Sequence, residues 1–198
     1  MTGFRRVGVF CGARPARQEY LDLARETGRW LGRRRVGLVY GGGGTGLMGA
    51  VAEGALLTGS YVTGVVPHHL LSLEGRQPPG VELMVVATMH ERKALMYQLS
   101  DAFVVLPGGL GTADELMEIA TWAKLGLHSK PVFVVNHGGF FDGLLAWLDL
   151  AVGERMMTAA DRSLIRDVPS LDALDGCFSP DLPDLPVPVA GAAPGLPR

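Results

Sequence analysis

The stretch Ala102–Glu115, AFVVLPGGLGTADE, decides the fold. Its first five residues, Ala102–Leu106, form an unbroken apolar run, which reads as a strand covered on both faces. Pro107-Gly108-Gly109 stops that strand, because proline carries no ladder N–H and glycine admits a sharp turn. A helical run follows over 112–125, with Leu116, Ile119, Ala120 and Ala123 on one stripe. Strand, glycine turn and helix in direct succession make half of a βαβ unit, whose strands run parallel.

The same alternation extends in both directions. Toward the N-terminus lie a strand RVGVF (Arg6–Phe10), a helix over 17–34 and a strand GLVY (Gly37–Tyr40). A small-residue helix over 47–57, a strand YVTGVV (Tyr61–Val66), a Pro/Gly loop over 67–80, a strand ELMVV (Glu82–Val86) and a helix over 89–99 complete that half. Toward the C-terminus come VFVV (Val132–Val135), a helix over 143–152, a last strand over 163–167 and a short helix over 170–177. The expected architecture is α/β: a Rossmann-like, doubly wound parallel sheet with right-handed crossovers, a single domain over residues 1–178. Residues 179–198 are rich in proline, lack any period, and read as a mobile tail.

Composition narrows the class. Of 198 residues 47% are hydrophobic and 19% charged, too apolar for a disordered chain. A net charge of −2 offers no basic field for nucleic acid or an anionic membrane. No apolar run approaches the ~20 residues of a membrane span, and the arginine-flanked N-terminus does not read as a signal peptide. Two cysteines outside any CxxC pair, Cys11 and Cys177, suit a reducing compartment, so a cytoplasmic location is expected. His68, His69, His90, His128 and His137 form no HxxxH or His/Cys set, so neither metal nor cofactor is expected.

Glycine is in excess, at 28 residues, and two glycine-rich loops fall at strand ends, where open parallel sheets bind ligands. The first runs Gly41–Gly49, GGGGTGLMG; Gly42, Gly43, Gly44 and Gly46 form either a phosphate loop or a strand–helix packing turn. A dinucleotide site would add an acid at the next strand end, but that strand closes Val65-Val66-Pro67-His68-His69, so NAD is not expected. The Lys-Ser/Thr pair of a P-loop is missing too. In the second loop, Gly109, Gly111 and Thr112 offer amides and a hydroxyl to a phosphate, with Glu115 one turn further on. Thr112-x-x-Glu115 equally fits a helix capping box. A third segment, Met89-His90-Glu91-Arg92-Lys93, places two cations at a helix start, where one could orient a carboxylate and the other meet phosphate; a solvated helix start is the plainer reading.

Taken together, these segments resemble the Lonely Guy family of nucleotide phosphoribohydrolases. Its PGGxGTxxE motif is matched by Pro107–Glu115, its MHERK by Met89–Lys93, and its glycine-rich GLMG loop by Gly41–Gly49. The likeness covers roughly residues 6 to 155 and includes Glu118–Gly126 and Lys130-Pro131. It implies hydrolysis of the N-glycosidic bond of N6-substituted adenosine 5′-monophosphates, releasing a free base (an active cytokinin) and ribose 5-phosphate. It further implies Arg92 and Glu115 as catalytic residues, and Glu74, Arg92, Lys93, Gly109, Leu110, Gly111, Thr112, Ala113, Asp114, Glu115 and Thr121 as nucleotide contacts. Arg92 is expected to hold Glu115 ionised through a bidentate pair. A homodimer with its interface near the 112–125 helix is implied as well. Two departures bear on substrate preference: Ala13-Arg14 stands where the family commonly has serine after Cys-Gly, and Gly44 where serine is frequent. Similar proteins are often labelled lysine decarboxylases, but no lysine here occupies a Schiff-base setting. Three alternatives stay open: a nucleosidase for AMP or another nucleotide, a non-catalytic nucleotide-binding protein, and an interaction module.

Overall fold

Seven strands form one parallel sheet in the computed structural model, which describes residues 5–178. The strands are β1 (Arg6–Phe10), β2 (Gly37–Tyr40), β3 (Val62–Pro67), β4 (Glu82–Val86), β5 (Ala102–Val105), β6 (Val132–Val135) and β7 (Ile165–Val168). Their order is β4-β3-β2-β1-β5-β6-β7, so the chain builds outward from β1, returns to β5 beside it, and builds the other way. Loops after β1 and β5 therefore diverge to opposite faces and leave a crevice above the strand ends. The register pairs Val9 with Val104 and Phe10 with Val105, so both chains leave the sheet side by side.

The helices are α1 (Gln18–Arg33), α2 (Gly46–Leu57), α3 (Met89–Leu99), α4 (Leu110–Lys124), α5 (Asp142–Gly153), α6 (Ala159–Arg162) and α7 (Leu171–Cys177). One core joins Leu31, Val51 and Ala55 of α1 and α2 to Val7, Val9 and Leu38 of the sheet. The second joins Met96, Leu116, Ile119 and Leu148 of α3, α4 and α5 to Phe10, Val39 and Val105. Cover on both faces is why β2, β5 and β6 are buried at every position. Glycine lets α1 and α2 touch: a Cβ on Gly28 would lie 2.1 Å from Val51 O.

Elements the sequence left imprecise are the short ones. α4 starts at Leu110, two residues earlier than its apolar stripe suggested, because glycines carry no hydrophobic signal. The last strand is Ile165–Val168 rather than 163–167, with only its two end residues buried. α6 went unread: four residues show no period, although the Thr158/Asp161 capping box that starts it was visible. The loop over 67–80 contains a 3₁₀ turn, His68–Leu70. The tail expected over 179–198 lies outside the described residues. Among the described residues no helix is long and apolar enough to cross a membrane.

Candidate active site

A cavity of about 940 Å³ opens above the β1/β5 switch point. The end of β1 forms its base through Phe10 and Cys11, and the loops after β1, β2 and β5 form its walls. Glu74 from the 67–80 loop, Met89 and Arg92 from α3, and Phe140 complete the lining.

One wall is the start of α4. Gly109 is the N-cap and no side chain caps this end, so the first amides of the helix lack the usual partner. Thr112 lies inside the helix, which means that Thr112-x-x-Glu115 is not a capping box here. Gly108 is glycine for packing, since a Cβ would fall 2.1 Å from Thr112 Oγ1 and 3.0 Å from Gly12 N. Gly109 and Gly111 differ: a Cβ on either meets nothing within 4 Å. Uncapped amides, a helix dipole and open space at two glycines make an anion cradle. Leu110, 92% exposed, and Asp114 flank it.

The charged groups converge one turn deeper. Arg92 is 5% exposed; its Nη2 donates to Gly41 O at 2.9 Å and its Nη1 lies 3.7 Å from Glu74 Oε1. Its buried Nε has no hydrogen-bond partner. Glu115 lines the same cavity, yet among the described residues it makes no ion pair with Arg92 within 4.0 Å. The expected bidentate Arg92–Glu115 pair is therefore replaced by an Arg92–Glu74 pair, with Glu115 coupled to Arg92 through space. Burial pushes the pKa of Glu115 up to about 7, Arg92 opposes only in part, and Asp114 adds to the rise. Burial also raises Glu74, again against the pull of Arg92. Cys11 is raised by burial first and Glu115 second, which keeps it a neutral thiol and a poor nucleophile.

Other expected positions separate. Gly109, Leu110, Gly111, Thr112, Asp114 and Glu115 line the cavity, as do Glu74 and Arg92; Ala113, Lys93 and Thr121 do not. Lys93 reaches Asp114 at 3.2 Å and Glu118 at 3.0 Å, tying α3 to α4. Thr121 is exposed, six residues beyond Glu115 and hence about 9 Å along the helix. Gly42, Gly43, Gly44 and Gly46 also lie outside the lining. Gly44 N–H donates to Glu74 O at 2.7 Å, and a Cβ there would strike Arg76 O at 2.1 Å. Gly42 and Gly46 hold positive φ, at 78° and 59°. Through Gly44 the first loop packs against the segment that carries Glu74.

Sequence reasoning noted Arg14 only as a departure bearing on substrate preference and missed the rest of the β1–α1 wall. Arg14, Arg17 and Tyr20 line the cavity, and Phe140 meets Tyr20 edge to face at 5.5 Å. A position just after a strand beside the switch point was the available signal. Among the described residues no group of three or more His, Cys, Asp and Glu side chains is placed to hold a metal.

Comparison with known proteins gives this geometry a lineage. A family model described as "Possible lysine decarboxylase" matches residues 48–174. No lysine lines the cavity, so the chemistry in that description has no residue to perform it here. A cytokinin riboside 5′-monophosphate phosphoribohydrolase of Oryza sativa subsp. japonica is 45% identical over 168 residues, 84% of this chain and 69% of that protein. Its counterpart from Rhodococcoides fascians is 45% identical over 163 residues, 81% of this chain and 82% of that one. Among solved structures, a molybdenum cofactor binding protein from Rippkaea orientalis aligns with a TM-score of 0.67 at 18% identity, covering 87% of this chain and 93% of that one, which is a likeness of fold. With these relatives and this site, the chain belongs to the Lonely Guy family of cytokinin riboside 5′-monophosphate phosphoribohydrolases.

Proposed function

We propose that the protein hydrolyses the N-glycosidic bond of N6-substituted adenosine 5′-monophosphates, releasing the free base and ribose 5-phosphate. The observation that carries this reading is one cavity that joins an uncapped, glycine-opened helix start to the half-buried Glu115 carboxylate and the buried Arg92 guanidinium. The 5′-phosphate rests on the amides of Gly109–Thr112. Positive charge then builds on the ribose as the bond to the base lengthens, as in other glycosyl transfers. Glu115, one turn from the cradle, stabilises that charge as a carboxylate and takes a proton from the attacking water. The water's oxygen bonds to C1′, the electron pair of the broken bond stays on the base nitrogen, and that nitrogen ends protonated. Arg92, fixed by Glu74 and Gly41 O, keeps a positive charge beside Glu115 and so favours its ionised form.

The same reading includes a cytoplasmic homodimer. Its support is the exposed outer part of α4 and the turn beyond it, where Thr121 sits near Leu125 and Leu127, 65% and 58% exposed. Thr121 does not line its own cavity, and in this reading its contact with nucleotide is made in the cavity of a second copy. Light scattering on the purified chain reads the mass directly; a monomer contradicts the dimer.

Incubation with isopentenyl-AMP, AMP, CMP, GMP and IMP, each followed by chromatography of the products, tests the reaction. Release of isopentenyladenine in preference to adenine is the expected result. Preferential adenine release would make the chain an AMP nucleosidase, and release of no base would leave a binding protein.

A further inference from the structure

Arg14 stands on the turn that ties the two glycine loops together. Gly12 N–H donates to Pro107 O at 3.1 Å, Gly12 O accepts from Leu47 N–H at 2.9 Å, and Thr45 Oγ1 donates to Ala13 O at 2.9 Å. The backbone is pinned so closely that a Cβ on Gly46 would fall 2.4 Å from Arg14 O. The Arg14 side chain lines the cavity, and among the described residues it joins no hydrogen bond, ion pair or ring contact. Its neighbour Arg17 is committed: it pairs with Glu19 at 2.8 Å, donates to Tyr20 Oη at 2.5 Å and lies over the Tyr20 ring. Of two guanidinium groups on this wall, one is satisfied within the protein and the other is left for a ligand.

The charges of the cavity are unevenly placed. Glu74 and Glu115 sit on the side of Arg92, and Arg92 is already occupied by Glu74 and Gly41 O. Asp114, at the mouth, is held by Lys93. A dianionic ligand group is disfavoured beside the half-buried Glu74 and Glu115 and drawn to the wall that carries Arg14 and to the uncapped start of α4. The amides there supply donors in a fixed direction, and a guanidinium fork supplies the charge they lack.

We propose that Arg14 is a substrate-binding residue that pairs with the 5′-phosphate monoester seated on α4 and thereby sets the preference for nucleotide over nucleoside. The assignment rests on the hydrolase reading above and adds to it the residue that recognises the charged end of the substrate. Because Arg14 is exposed and the bonds that hold the turn run through Gly12 and Ala13, replacing its side chain leaves the turn intact.

The test compares wild type, Arg14→Ala and Arg14→Lys on isopentenyl-AMP and isopentenyladenosine, and measures ribose 5-phosphate binding by calorimetry. Thermal melts check folding. Arg14→Ala is expected to raise KM for the nucleotide and to weaken ribose 5-phosphate binding by roughly tenfold or more, the scale of a lost charge-assisted contact. The change in kcat is smaller, the nucleoside loses far less, and Arg14→Lys falls in between. Equal KM and equal ribose 5-phosphate affinity in wild type and Arg14→Ala overturn the assignment. So does an equal loss on nucleoside and nucleotide, which marks a merely structural role. Failure of the wild type to release base from any nucleotide overturns the hydrolase reading instead, and calorimetry then still decides Arg14.

Discussion

Arg92 is anchored to Glu74, with Nη1 3.7 Å from Oε1, while Glu115 shares its cavity without pairing to it. The arrangement divides labour between two carboxylates. In the proposed mechanism Glu74, beside the guanidinium, holds it in place and Glu115 meets substrate. Glu74→Gln removes the charge that positions Arg92 but keeps shape and volume. The expected outcome is a drop in kcat of roughly 10- to 100-fold with little change in KM, because the phosphate cradle is untouched. Steady-state kinetics check this; an unchanged kcat would make the pair a bystander.

Glu115 titrates near pH 7 because burial outweighs the pull of Arg92. A reaction that needs its carboxylate form gains kcat/KM as pH rises through about 7, rather than near the ordinary value of 4.5. Glu115→Gln loses that acid limb together with turnover, by on the order of 10²-fold. The pH profile of kcat/KM for both proteins is the measurement.

The same shift has a stability consequence of opposite sense. A carboxyl with a raised pKa binds its proton more tightly in the folded chain than in the unfolded one. The stability it contributes is complete below about 4.5 and is lost as pH climbs through about 7. Glu115→Gln removes a buried charge at pH 8, so this variant is expected to be more stable than wild type there by on the order of 1–2 kcal/mol. The gap narrows toward pH 5. Urea melts at both pH values decide it.

The legible part of this molecule was what long apolar patterns and long motifs report. Unbroken runs such as Phe103–Val105 announced buried parallel strands, and the motif segments around Arg92 and Glu115 announced residues that meet in one cavity. What stayed hidden depends on distances that sequence spacing does not encode. Arg92 and Glu74 lie on either side of β4, and no spacing rule says that the 67–80 loop folds back to meet α3. Thr112-x-x-Glu115 carries the letters of a capping box, yet α4 starts two residues earlier, at positions where glycine gives no helical signal. At the first glycine loop the letters fit a cradle and a packing turn equally, and spacing does not show that the backbone of Arg76 fills the space beside Gly44.

The two kinds of glycine around α4 can be separated by one methyl group. At Gly108 a Cβ would collide with Thr112 Oγ1 at 2.1 Å and crowd Gly12, so Gly108→Ala is expected to destabilise the fold by about 1–3 kcal/mol, the range for overpacking. At Gly111 the methyl enters open space and replaces a helical glycine, so the fold gains up to about 1 kcal/mol. That open space is where the phosphate is read to sit. Gly111→Ala therefore raises KM for the nucleotide by roughly tenfold or more while its melting temperature holds or climbs. Gly109→Ala follows the same pattern at the N-cap, with little gain in stability because the residue is not helical. Melting curves beside KM values separate the two cases. A Gly111→Ala protein that is as active as wild type would remove the phosphate from this wall and, with it, the reason for the glycines.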